Sequence, residues 1–227
     1  MWPARAAELV RKQEELGALT PPVWRPSGPR PRVAGCFVCF RRGQRGTGWG
    51  GEPAWAAAVL MLGDRRQADS AVVSGTAAAP YEPGLLALRE GPLLEAALRA
   101  LPEPPEVVLA NASGRDHPRG AGLALHLGAA LQLPSVGVTD RALLATGPEP
   151  GPGRGATSSL MLDNSEVARS LRTRAGARPI VVHPGWRTDL ETAVSVVLAS
   201  TRRARTPEPV RRARRAARQA RANANSA

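Results

Sequence analysis

Three short stretches of this chain hold residues whose types and spacing suit chemistry. The first is PYEPGLLALREGP, residues 80 to 92, where Tyr81 lies between Pro80 and Pro83. Two prolines stiffen the backbone, so the ring stands on a rigid turn. It is either an ordinary surface turn with a packing tyrosine or a stiff aromatic wedge that stacks on or separates bases. Glu90 follows in an otherwise apolar segment, as a solvated or paired acid or as a metal ligand. The second stretch is VVLANASGRDHPRGAGLALHLG, residues 107 to 128, in which a buried strand ends at Asn111 and HPRG leads into a glycine-started helix. Ligand sites in α/β sheets favour this place, outside the carboxyl end of a strand. Ala112, Gly114, Gly120 and Gly122 let a base or phosphate approach the backbone, and Arg119 offers a bidentate donor to phosphate. The competing reading is a tight strand-to-helix loop with His117 as a cap, and His126 reads as a satisfied core histidine. The third stretch, PIVVHPGWRTDLETAV at 179 to 194, sets His183 and Arg187 around Trp186, although Asp189 as a helix cap explains much of it.

Elements that position these residues follow from hydrophobic patterning. Residues 3 to 16 read as a helix and GALTPPVWRPSGPRPR as an extended connector. VAGCFVCF (33 to 40) is a strand buried on both faces, with Cys36 and Cys39 as packed thiols sharing one face; a structural zinc site needs four ligands. After the glycine-rich loop GQRGTGWGGEP, AWAAAVLML and SAVVSG complete an antiparallel meander, with GDRRQAD as the turn between them. PGLLALREGPLLEAALRAL is helical, with Gly91-Pro92 dividing it into two pieces. EVVLA, GAGLALHLGAAL and SVGV then read as strand, helix and strand. SSLML and PIVVH read as a hairpin, and DLETAVSVVLAS as a helix capped by Asp189. The fold class is α/β, a central mixed sheet flanked by helices. Three regions follow: a helix and Pro-rich connector (1–32), the α/β domain (33–201) and an Arg-rich tail (202–227) that is partly helical.

The chain has 227 residues, 43% hydrophobic and 22% charged, which excludes a fully disordered protein. No apolar run approaches the ~20 residues of a membrane span and the start lacks a signal peptide, so a cytoplasmic protein with no membrane partner is expected. The formal charge is +12. Residues 202 to 227 hold nine arginines against Glu208 alone, which is +8 of that total and leaves +4 for the rest. Thirty of the 31 basic residues are arginine, so coding bias weakens the inference from charge to a nucleic-acid partner. In the tail, Val210, Ala213, Ala216, Ala217 and Ala220 fall at helical spacing with arginine around the rest. This is either a phosphate-binding basic helix or a solvated, frayed terminus.

Taken together and in order, VAGCFVCF, PYEPG through ALREGP, HPRGAGLALHLGAAL, PSVGV, VHPGWR and RTPEPVR resemble the endonuclease V family, from about Val33 to Arg211. The resemblance implies a ribonuclease H-like fold, a monomer, and Mg²⁺-dependent hydrolysis of a phosphodiester near a deaminated purine, typically hypoxanthine, in DNA or RNA. Tyr81, flanked by Pro80 and Pro83, then corresponds to a strand-separating wedge. Gly84, Leu86 and Gly122 correspond to the pocket for an extruded base, with His117 and Arg119 in the same nucleic-acid-binding set. The metal-binding positions of the family fall on Phe37, Glu90, Asn111 and Arg214, where it has Asp, Glu, Asp and His. Asp140 stands where a lysine is expected, and Ala112 and Ser113 where Gly and His are usual.

Only Glu90 keeps its carboxylate, with Asn111 a weak second ligand and Asp116 a candidate replacement. Magnesium needs hard, charged oxygens, so metal-dependent cleavage is expected to be lost or weak. Phe37→Asp with Asn111→Asp is expected to raise it. Three functions follow: a binder that retains wedge and pocket without cutting, an active endonuclease with a rearranged site, or a scaffold whose basic tail binds RNA or protein.

Overall fold

The computed structural model describes residues 2–28, 31–41, 48–62 and 66–224. The first helix, α1, spans Ala6–Ala18. The strands are β1 (Val33–Phe40), β2 (Pro53–Met61), β3 (Gln67–Thr76), β4 (Val107–Ala110), β5 (Ser135–Thr139), β6 (Thr157–Leu162), β7 (Ser165–Leu171) and β8 (Ile180–Pro184). They form one eight-stranded sheet in the order β3-β2-β1-β4-β5-β8-β7-β6. The β1–β2–β3 meander is antiparallel, β1, β4 and β5 run parallel, and β8, β7 and β6 continue antiparallel. The expected mixed central sheet is present.

Alternation along the strands divides the core between the two faces. On one face Ala34, Cys36 and Val38 of β1 and Ala54, Ala56, Ala58 and Leu60 of β2 pack beneath α2 (Leu86–Arg99), α3 (Leu123–Leu131) and Leu9 of α1. On the other face Val33, Val107, Leu109, Val136 and Val182 meet α4 (Leu190–Ala199) and Val210 of α5 (Glu208–Ala224). Phe37, Cys39, Trp55, Ala57 and Val59 also face α5. The basic tail is therefore seated on the sheet: Val210, Ala213 and Ala217 are fully buried while most of its arginines point away. No helix among the described residues is long and apolar enough to cross a membrane.

Three expectations change. Cys36 and Cys39 lie three positions apart and so point to opposite faces, although both are buried. Gly91-Pro92 does not divide the helix; α2 is continuous with Pro92 inside it. Burial of Leu94, Ala97 and Leu98 outweighs the missing amide, and Gly91 has no Cβ because Trp2 packs there, within 2.3 Å of where one would stand. SSLML pairs with SEVARSL rather than PIVVH, through Asp163-Asn164 with φ of 47° and 63°, the left-handed pair of a type I′ hairpin. PIVVH instead joins β7 to β5. Residues 42–47, which include the start of the glycine-rich loop, and 63–65 of the GDRRQAD turn lie outside the described residues.

Close seating of α5 depends on one glycine. A Cβ on Gly35 would stand 2.2 Å from the Pro209 carbonyl carbon and 2.3 Å from the Val210 nitrogen, both backbone atoms that cannot turn aside. Gly35→Ala should lower the unfolding free energy in urea by roughly 3 kcal/mol, whereas Gly153→Ala, with nothing within 4 Å, should change it by less than about 0.5 kcal/mol. Equal midpoints for the two variants would show that α5 does not rest on β1 as described.

Candidate nucleic-acid interface

A cavity of about 210 Å³ opens at the carboxyl ends of β4 and β5, beside the start of α2. Tyr81, Pro83, Gly84, Leu86, Asn111 and His117 all line it. It is smaller than the roughly 300–1,000 Å³ of clefts for drug-sized ligands, a size that suits a single flat ring system. Tyr81 stands at its rim, 44% exposed. Pro80, next to Tyr81, is exposed and is not part of the lining. Gly122 sits beneath the cavity: a Cβ there would meet Ser113 Oγ at 2.4 Å, so the glycine lets the 111–114 turn close onto the start of α3.

The Gly84 carbonyl gathers three donors: Gln13 Nε2 at 3.1 Å, Arg119 Nη2 at 2.8 Å and His117 Nε2 at 3.1 Å. Gly84 has φ +78°, which a glycine adopts without cost, and this turns its carbonyl inward. His117 Nδ1 accepts the Arg119 amide at 3.2 Å, which assigns the proton to Nε2. Burial lowers the His117 pKa and keeps the ring in that neutral form. Arg119 Nε also donates to Gln13 Oε1 at 2.7 Å. Its guanidinium is thus engaged in holding the PYEPG turn, rather than spread toward solvent as a phosphate fork. The turn has a second anchor in Arg89, which is buried, ion-paired with buried Glu52, and donates to the carbonyls of Ala79 (2.8 Å) and Trp49 (3.1 Å).

Glu90 lies outside the cavity lining, on α2, which covers the face of the sheet opposite α5. Its surroundings push its carboxyl up to about 7, burial outweighing the Arg89 charge, and the same burial with the Glu90 charge pushes the Cys36 thiol to about 12. The other positions marked by the resemblance meet one another. Asn111 follows β4 directly and its Oδ1 accepts from Arg214 Nη2 at 3.3 Å. The Arg214 guanidinium carbon lies 5.0 Å from the Phe37 ring centroid. Asp116, the candidate replacement ligand, is fully buried and accepts the amides of Leu143 (2.6 Å), Leu144 (2.8 Å) and Ala145 (2.9 Å). Those bonds make it the anchor of a loop rather than a metal ligand. Asp140 pairs with Arg205.

The third stretch is structural. His183 is fully buried, and its Nε2 donates at 2.8 Å to Thr139 Oγ1, whose hydroxyl donates to the Arg141 carbonyl. Burial drops its pKa to about 4 against the opposing pull of Asp116. Asp189 caps α4 by accepting from the Thr192 amide at 2.8 Å. His126 is buried and stacks on Trp2 at 4.5 Å, but its Nδ1 has no partner. Gln13 was missed, although it is buried with Leu9 and Leu16 at helical spacing on α1. Thr139, Arg141 and Leu143 also line the cavity, brought there by chain folding with no local sequence signal.

The chain is similar to known proteins over most of its length. The family model for endonuclease V matches residues 27–215. Endonuclease V of Streptomyces coelicolor is 40% identical over 215 residues, 93% of this chain and 89% of that protein. The crystal structure of endonuclease V from Streptomyces avermitilis superposes with a TM-score of 0.87 at 36% identity, covering 99% of this chain and 96% of that one. The fold is accordingly ribonuclease H-like. Ciona intestinalis endonuclease V, solved in complex with DNA containing an inosine, shares the fold with a TM-score of 0.78 at 22% identity, covering 94% of this chain and 96% of that one.

A divalent cation does not fit the residues present. Among the described residues no group of three or more His, Cys, Asp or Glu is placed to hold a metal. Phe37 offers no oxygen, and the one oxygen of Asn111 is bonded to a cation already. Carboxylates introduced at 37 and 111 would face the Arg214 guanidinium, which competes with a metal for them. In calorimetry with Mn²⁺, Phe37→Asp/Asn111→Asp should show no measurable binding, and adding Arg214→His should produce it. Equal binding by the double and triple variants would absolve Arg214.

The raised Glu90 pKa has a second consequence. Between about 4.5 and 7 the folded state binds more protons than the unfolded one, so this group's contribution to stability declines as pH rises through that window. Glu90→Gln removes the effect, and its melting temperature should gain roughly 5 °C on wild type between pH 5 and pH 8. A constant difference across that range would contradict the raised value.

Proposed function

The chain belongs to the endonuclease V family, and from that premise we propose that it binds nucleic acid carrying a deaminated purine without the family's metal-dependent cleavage. The observation that carries the first half is the Tyr81-rimmed cavity of about 210 Å³. A base inside a duplex cannot be inspected, so it must be extruded into a pocket of this kind at a cost of a few kcal/mol. Tyr81 fills or widens the gap in the stack, its ring held by Pro80 and Pro83 and by the clamped Gly84 carbonyl. Leu86 and Leu123 offer apolar walls to the ring, while Asn111 and Ser113 bring polar groups to its edge. A relative in fold was solved on inosine-containing DNA, which supports inosine as the base.

The second half follows from Phe37, Asn111 and Arg214. In metal-dependent hydrolysis the ion would activate water and stabilise the leaving oxygen, and these residues do not fit it. What they retain is a fixed positive charge beside the cavity.

The test is an inosine-containing strand mixed with purified protein and Mg²⁺ or Mn²⁺. Binding with no nicking above background is expected, and Tyr81→Ala should weaken binding by roughly tenfold or more, as loss of a 1–3 kcal/mol stacking contact implies. Nicking by the wild type would instead establish an active enzyme with a rearranged site.

A further inference from the structure

We infer that Arg214, with Arg218 beside it, takes a nucleic-acid phosphate directly, so that a guanidinium of this chain performs the phosphate contact with no divalent cation. The cavity reading above supplies only the register of that contact. Arg214 and Arg218 both lie over the Phe37 ring, at 5.0 and 5.9 Å from its centroid, an arrangement in which the aromatic face orients two like charges side by side. Together with Arg211, Arg215 and Gln219 they line a surface cavity of about 360 Å³ on α5.

Much of the charge there has no carboxylate directly against it, Asp140 acting on Arg214 only from a distance. Glu208 pairs with Arg211 and Arg212, but among the described residues Arg214, Arg215 and Arg218 have no carboxylate within ion-pairing distance. Arg214 Nη2 is held by Asn111, while its Nε is buried with no hydrogen-bond partner. A buried donor without an acceptor is rare in proteins, and here it belongs to a cation facing further cations. An anion resolves both conditions. A phosphodiester suits a planar guanidinium, which presents parallel N–H groups to two oxygens.

Position identifies which anion. Asn111 lines the base cavity and also holds Arg214, so one hydrogen bond joins the linings of the two cavities. A base seated in the first would bring the neighbouring backbone phosphate to the second. Phe37 makes this possible: where an acid would neutralise Arg214, a ring supports it and leaves its charge available.

The experiment uses the full chain and single-stranded oligonucleotides that differ only in one inosine or adenine, with binding followed by fluorescence anisotropy. Wild-type affinity should agree within twofold in EDTA and in Mg²⁺. Arg214→Gln should weaken both strands about tenfold and reduce the slope of log K against log salt by about 0.7 to 1, the signature of one lost phosphate contact. Arg214→Lys should recover part of that loss. If Arg214→Gln fails to fold by circular dichroism, exposed Arg218→Gln replaces it, with an expected loss of about threefold and a smaller slope. Binding that requires Mg²⁺, or an Arg214→Gln protein with native affinity and slope, overturns the inference. Loss of inosine preference in the wild type, with Arg214-dependent binding intact in EDTA, would overturn the base-cavity reading and leave the phosphate site standing.

Discussion

Where α5 touches β1 decides what the rest of the molecule can do. A helix approaches a strand only as closely as the side chains between them permit, and Gly35 supplies none. The helix backbone therefore rests on the strand backbone, Val210, Ala213 and Ala217 fill the remaining space, and the next residue round the turn, Arg214, is carried to Phe37 and Asn111. The arginine-rich segment owes its place to apolar contacts rather than to its charge, which explains how so basic a helix can be seated on a sheet. Its charge is then free for a partner.

The cavity is built on a different principle, saturation of polar groups. The PYEPG turn has no regular secondary structure to hold it, so side chains from elsewhere take its carbonyls and the one just before it: Gln13, His117 and Arg119 on Gly84, and Arg89 on Ala79. Buried polar networks of this kind rigidify a loop when every member is satisfied. Their donors come from three separate parts of the chain, α1, α2 and the HPRG loop, so the turn also ties these elements together. The two constructions meet at Asn111, one residue beyond β4.

Much of this was legible in the sequence. β1, β4 and β5 are short and nearly continuous in apolar residues because both faces are covered, and the helices α3 and α4 announce themselves by periodicity and, in α4, by the Asp189 cap. The cavity residues could be assembled from PYEPG and HPRG because each motif reflects a local backbone need. β7 was not legible: SEVARSL has polar residues at its exposed positions, and the Asp163-Asn164 turn that separates it from β6 is only two residues long. Gly91-Pro92 misled because its local cost is overruled by packing on the sheet. Arg119 read as free to bind phosphate because its partner Gln13 lies 106 residues away, and Arg214 was identified only as a missing histidine, its bond to Asn111 spanning 103 residues. Contacts at that range are set by the fold alone.

The central claim is that a guanidinium stands where the family would place a metal. A crystal structure of the protein on an inosine-containing strand, grown with Mn²⁺ present, tests it most directly through the anomalous signal of manganese. The expected result is a base in the Tyr81 cavity, a backbone phosphate oxygen within about 3 Å of the Arg214 guanidinium, and no manganese peak beside Asn111. A manganese ion held there by Glu90 and Asn111, with Arg214 displaced from Phe37, would contradict it.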